Sequence, residues 1–176
     1  VMVVTLEAEI PSGYGRGFPL VAQALQALRT DFRRLVGDLE PDEWHQQSRC
    51  HLWDVHDVVR HVRDGMRLHV DLLNGGPSPF HPENPFENRE APLKWLTETT
   101  GQSPEQAVGQ LDELGPLEQE AIAEHLHDRS DQTLLGPYGP VHWTLATAHI
   151  MWDTWLHRRD ITEALRRSRA ATPEQD

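Results

Sequence analysis

The sequence has a single cysteine, Cys50, among 176 residues. One cysteine cannot close an intramolecular disulfide, so a disulfide-stapled scaffold is excluded and a reducing compartment is the expected setting. Basic residues are scarce: 16 Lys and Arg stand against 28 Asp and Glu, for a net charge of −12 with His neutral. Phosphate backbones and anionic lipid surfaces draw on clustered Lys and Arg, so neither nucleic acid nor a membrane is expected as a partner. Long apolar runs are missing as well. None approaches the roughly 20 residues that span a bilayer. The opening "VMVVTLEAEI" lacks the basic start and long apolar core of a secretory signal. A cytoplasmic protein acting on a small molecule, as a monomer or homodimer, is the simplest expectation.

What the chain does have is histidine and tryptophan, eleven and six, against two tyrosines. With 38% hydrophobic and 25% charged residues it has the composition of one globular domain over residues 1–176. Residues 1–16 read as an extended segment ended by "PSGYGRGFP". From Leu20, apolar residues recur at helical spacing (Leu25, Leu28, Phe32, Leu35) to a stop near Gly37. A second helix is expected from Asp54 to about Leu73, with Asp54 as N-cap and Asp57 three residues on. Its inward stripe includes Val58, His61, Gly65 and Leu68. Residues 74–92 form a long Pro-, Gly- and Asn-rich loop, a length often associated with function. Ser103-Pro104-Glu105 starts a third helical region that reaches about Leu126, with a break expected at Gly115-Pro116. "GPYGP" is a turn, and a last helix runs from about Val141 to Arg167. The pattern predicts an all-α fold, an antiparallel four-helix bundle, whose core can hold a metal site on facing helices.

The last helix carries His149, Asp153 and His157 at intervals of four, hence on one face. Asp153 and His157 can reach one cation together. His61, inward on the second helix, is the candidate third ligand, and three protein ligands leave a position open for water or substrate. The same residues also suit a plain reading as partly buried helix residues satisfied by hydrogen bonds.

"SRCHLWDVHDVVRHV" (48–62) resembles "RCPGWTVRDVVAHL" of the mycothiol-dependent maleylpyruvate isomerase N-terminal domain, a DinB-like family. The likeness rests on Arg49, Cys50, Trp53, Val55, Asp57, Val58, Val59 and His61. "DTWLHRRDI" resembles the family's E-x-x-x-H-x-x-D-I, and "LVGDLEPDEWHQQSRC" its L-x-x-L-x-x-x-x-W-x-x-x-T-x-C. The resemblance implies a DinB-like four-helix bundle holding a divalent metal, usually zinc, through His61, Asp153 and His157. It also implies a low-molecular-weight thiol, mycothiol above all, as cosubstrate of an S-transferase or isomerase acting on a small electrophile. Two departures stand out: Asp153 replaces the family's Glu or His, so His149 is a further candidate ligand or proton-handling group, and His51-Leu52 replaces Pro-Gly.

Trp53, Trp152 and Trp155 flank the proposed site in sequence as core or pocket wall, and Trp53, Trp152 and Arg158 are candidate substrate-binding residues. Arg158 and Arg159 could instead merely solvate the helix. Cys50 is either a nucleophile near a helix start or a small buried hydrophobe. Asp160 is placed to orient a ligand. Two other functions fit the same pattern: a thiol-independent hydrolase or biosynthetic enzyme, and a metal-free small-molecule binding or resistance protein.

Overall fold

The computed structural model describes residues 18–83 and 85–171; the expected extended segment over 1–16 lies outside them. The described chain is mostly helical. In chain order, α1 spans Phe18–Gly37, α2 Val55–Leu73, α3 Pro85–Asn88, α4 Ala91–Glu98, α5 Pro104–His127 and α6 Trp143–Ala171. A 3-10 turn lies at Glu43–His45, and strands β1 (Thr133–Gly136) and β2 (Gly139–His142) precede α6. No described helix is long and apolar enough to cross a membrane.

The helix starts follow their local chemistry. Asp54 accepts a hydrogen bond from the Asp57 backbone N–H while the Asp57 carboxylate accepts one from the Asp54 N–H. Two donors that have no partner within the helix are thereby satisfied. Ser103 and Gln106 do the same for α5, with Pro104 at the first helical position. The break expected at Gly115-Pro116 does not occur: α5 runs through it to His127. One of the clashes a proline makes in a helix is with the Cβ of the residue before it, and Gly115 has none. The carbonyl left without a helical donor is that of Asp112, an exposed residue.

α1 and α2 each pack against both α5 and α6. Two apolar clusters result. One gathers Phe32, Val58, Val62, Met66, Leu111 and Ile161, the other Leu25, Leu72, Leu73, Ile122, Leu134 and Trp143. A buried polar layer falls between them on α1, α5 and α6, joined by His69 of α2. Arg29 makes two hydrogen bonds to Glu118, both 2.9 Å, and a third to Thr154 at 2.8 Å. His69 Nδ1 lies 2.8 Å from Glu118 and its Nε2 lies 3.0 Å from Thr147. Burial works against the Glu118 charge, but Arg29 and His69 outweigh it and hold the carboxyl down at about 2.

The hairpin is a departure from the all-helical expectation. β1 and β2 pair antiparallel with Leu134 opposite Val141 and Gly136 opposite Gly139, and α6 starts at Trp143 rather than Val141. Strands of four residues are too short to show an alternation in sequence. Gly139 closes the two-residue turn at φ 118°, a conformation open to glycine and strained for other residues. The expected 74–92 loop also differs: α3 and the start of α4 lie within it. Asn88 stitches this connection to the hairpin, donating to the carbonyls of His81 and Pro137. Ser78 adds a 2.7 Å bond to Leu135 O. Connection and hairpin together roof the groove between α2 and α6.

Candidate metal centre

The groove between α2 and α6 brings His61, Asp153 and His157 together. His61 Nε2 lies 3.5 Å from one Asp153 oxygen and His157 Nε2 lies 3.5 Å from the other. The two imidazoles stand edge to face, 4.7 Å between ring centres. One donor atom from each residue falls within 4.8 Å of the others. A separation of 3.5 Å exceeds the usual hydrogen-bond range of about 2.7–3.2 Å. For each histidine–carboxylate pair it is close to the ligand–ligand spacing of a tetrahedral zinc site, about 3.4 Å for bonds near 2.1 Å. Two neutral-capable imidazoles and a carboxylate are also a donor set suited to zinc, so the residues present fit such an ion.

The ring of His157 is oriented from behind. Its Nδ1 lies 3.2 Å from Asp160 Oδ2, which leaves Nε2 facing Asp153. Cys50 Sγ sits 3.3 Å from the same Asp160 oxygen and 4.0 Å from His157 Nδ1. A carboxylate on the far nitrogen of a ligating histidine fixes tautomer and ring angle. Burial opposes charge on His157, but Asp153, with the Cys50 sulfur behind, outweighs it and holds the imidazole up at about 10. Asp153 is itself driven well below the usual carboxylate range: burial opposes the charge, and the two histidines outweigh burial. His61 has no such support. Its Nδ1 is buried with no hydrogen-bond partner among the described residues, and the Trp53 ring lies 4.8 Å from its own.

Trp53 also approaches His157, at 6.0 Å, so it covers both imidazoles. It is held by the tight loop before α2. Ser48 Oγ and Gln47 Nε2 both donate to the Trp53 carbonyl, at 2.7 and 2.9 Å, and Gln47 pairs with Asp54 as an isolated bridge. Cys50 is carried in the same loop and is half-buried.

The three donors lie in the wall of a cavity of about 590 Å³. Its other walls are largely apolar and aromatic, including Trp53, Phe80, Trp95, Tyr138 and Trp152. The His51-Leu52 pair lines it too. His149 faces this cavity, near Tyr138 and Trp152 at 6.3 and 6.1 Å between rings, but it is not part of the donor cluster. Arg158 does not line the cavity. It follows His157 by one residue, about 100° around the helix, and its Nε is buried without a partner among the described residues. Arg159 stacks over Trp155, 4.9 Å from the ring centre, away from the cavity.

A family model, that of the mycothiol maleylpyruvate isomerase N-terminal domain, matches residues 25–162. The chain belongs to this family. No curated protein and no solved structure matches it. The matched span contains all three donors, Trp53, Cys50 and Asp160, and every cavity wall named above.

The sequence pointed to His61 by its place on the inward stripe of α2, to Asp153 and His157 by their spacing of four on one helix face and the family resemblance, and to Asp160 by its place three residues after His157. It did not point to Phe80, Trp95 or Tyr138 as cavity wall, since the connection and the hairpin turn carry no periodic signal. Gly65 was visible on the inward stripe of α2, without a sign of what its missing side chain leaves open.

Proposed function

We propose that this chain is a DinB-like antiparallel four-helix bundle that binds one divalent metal, zinc by preference, through His61, Asp153 and His157. On this reading it is an S-transferase or isomerase that uses a low-molecular-weight thiol of the mycothiol type on a small electrophile. The observation that carries the proposal is the 3.5 Å spacing of both histidine Nε2 atoms from the Asp153 oxygens at the wall of an aromatic cavity. Membership of a family named for a mycothiol-dependent isomerase supports the choice of cosubstrate.

A free thiol with a pKa near 8.5 is mostly protonated at neutral pH. When bound, zinc supplies a Lewis acid that favours the thiolate, the nucleophile for attack on the electrophile. This chain's own residues supply the rest. Asp160 holds His157 in register, and Trp53 keeps water from the two imidazoles. The apolar walls desolvate the reacting groups. His149, on the cavity wall, is placed to hold or move a proton on a bound substrate.

A second reading has one observation in its favour: Asp153 and His157 already lie within ion-pair range of each other. A metal-free small-molecule binding or resistance protein would keep such a pair. The same donors with metal but without an external thiol would serve a hydrolase or biosynthetic enzyme. The test is the metal content of protein purified without added zinc, alongside melting temperature with chelator and with zinc. Bound metal that is lost in His61→Ala and His157→Ala supports the centre. A melting temperature moved by neither zinc nor chelator in a metal-free wild type gives the binding-protein reading. Turnover of an electrophile that requires added thiol separates the transferase from the thiol-independent enzyme.

A further inference from the structure

A second cavity, of about 340 Å³, lies beneath the hairpin. It adjoins the first: Leu68, Phe80, Tyr138, His149 and Ile150 line both. Its own walls add Leu72, Val141, Leu145 and Ala146. Of the polar side chains in its lining, Tyr138 and His149 stand where it meets the first cavity, and His69, which lines only this chamber, has both ring nitrogens taken, by Glu118 and Thr147.

The two cavities follow one groove. Along α2 the cavity-lining positions run His61, Gly65, Leu68, Leu72; along α6 they run His157, Asp153, His149, Ala146. At 1.5 Å per residue, the stretch from His61 to Leu72 covers roughly 16 Å.

Gly65 lies on this path, in the middle of α2. A side chain there would meet only Ile150 Cδ1, at 3.8 Å, an ordinary contact. Its backbone is in the normal helical range. Neither backbone conformation nor packing therefore requires glycine, which weakens a helix wherever it stands. What the missing side chain does is keep the groove open one turn from His61.

We infer that the substrate of this site is an elongated molecule with an apolar chain or ring system. Its reacting end lies at His61, Asp153 and His157, its body crosses Gly65, and its apolar tail fills the chamber under the hairpin. The position of the reacting end rests on the function proposed above; the tail chamber does not. Past Tyr138 and His149 at the junction the walls are apolar and His69 is already paired, so a sugar or other polyhydroxyl group filling the chamber would leave hydroxyls without side-chain partners. The tail is therefore hydrocarbon, and polar parts of substrate or thiol stay in the larger, outer cavity.

The chamber is tested on metal-free protein with straight-chain 1-alkanols from butanol to decanol, by calorimetry. Affinity should rise about fourfold per added methylene until the chamber is full, then level off. Gly136→Leu should place a side chain in the chamber, because a Cβ at Gly136 meets its nearest neighbours at 3.6 Å. In that variant the gain per methylene should vanish. Ala146→Leu gives the same test from α6 if the hairpin variant fails to fold. The link to the donors is tested on zinc-loaded protein with the matching 1-alkanethiols, whose chain-length gain should be lost in Gly65→Leu. Alkanol affinity that does not change with chain length, or that rises equally in folded wild type and filled variants, overturns the chamber. If the alkanols behave as stated but zinc does not bind, the metal reading fails and the chamber stands. A thiol series untouched by Gly65→Leu overturns the path between them.

Discussion

Between pH 6.5 and 8.5, zinc affinity should climb about tenfold per pH unit. In the metal-free protein Asp153 holds the His157 imidazole up at about 10, so across this range His157 carries a proton. A metal binds only the neutral ring, and that proton must leave. One proton displaced per metal gives a slope of one in log affinity against pH. At pH 7 the displacement spans 10 − 7, or about 3 units, and at 1.36 kcal/mol per unit it costs about 4 kcal/mol of binding energy. An ordinary histidine near 6.5 would be neutral above pH 7.5, and the affinity would be flat there. The assay is competition with a chromophoric chelator at fixed ionic strength, corrected for the chelator's own protonation. Calorimetry in two buffers of different ionisation enthalpy then counts the proton released. In Asp153→Asn the carboxylate that does most to hold His157 protonated is gone, and burial is opposed only by Asp160 and Cys50 behind the ring. Overall affinity should drop, and the pH dependence above 7.5 should become shallower than in wild type. A wild-type affinity that is already flat above pH 7.5 would refute the coupling between Asp153 and His157.

Four other outcomes follow from the same structure. Without metal, the His157–Asp153 pair contributes stability that is complete below about pH 6.5, the ordinary value of the imidazole, and is lost as pH rises toward 10; urea melts of chelated protein should show the decline, and added zinc should reverse it. Glu118, held at about 2 by Arg29 and His69, contributes stability that is present above its ordinary range near 4.5 and is lost as pH falls toward 2, worth about 3 kcal/mol if the unfolded chain titrates normally. Glu118→Gln leaves the Arg29 guanidinium buried without a counter-charge and should cost about 3–5 kcal/mol in a denaturant melt, with zinc affinity of the folded fraction unchanged. Asp160→Asn frees the His157 ring and should weaken zinc binding about 10- to 100-fold while moving the melting temperature of metal-free protein little; an unchanged zinc affinity would reduce Asp160 to a partner of Cys50.

The two ends of α2 illustrate what could be read in the sequence and what could not. At its start everything is local: Asp54 and Asp57 are three residues apart, and the capping box they form is legible from spacing alone. The inward turn of His61 is nearly as local, because the apolar residues around it repeat with the helix period. The same holds for Asp153 and His157 on α6. What spacing could not give was distance between helices. That came from the packing of α2 against α6, and the family resemblance stood in for it at the sequence level. Further along α2, the buried His69 drew no reading from the sequence. Its partners, Glu118 on α5 and Thr147 on α6, are 49 and 78 residues away, and no local pattern marks them.

These two histidines also show why burial alone does not identify a ligand. His69 is the more deeply buried, with a side chain 1% exposed against 12% for His61. Both its nitrogens are satisfied at hydrogen-bond distance, and Arg29 balances the carboxylate it touches. Nothing is left for an ion to do there. His61 has one nitrogen without a partner and the other 3.5 Å from a carboxylate it shares with His157. The difference lies in unmet valence beside an open cavity, and it separates a core-stabilising polar layer from a candidate centre on the same helix. Exchanging the roles tests the argument. His69→Gln should lower the melting temperature and leave zinc stoichiometry intact. His61→Gln should abolish tight zinc binding and leave the metal-free melting temperature within a few degrees of wild type, since it removes no satisfied hydrogen bond. The opposite pattern would mean that unmet valence is not what distinguishes them.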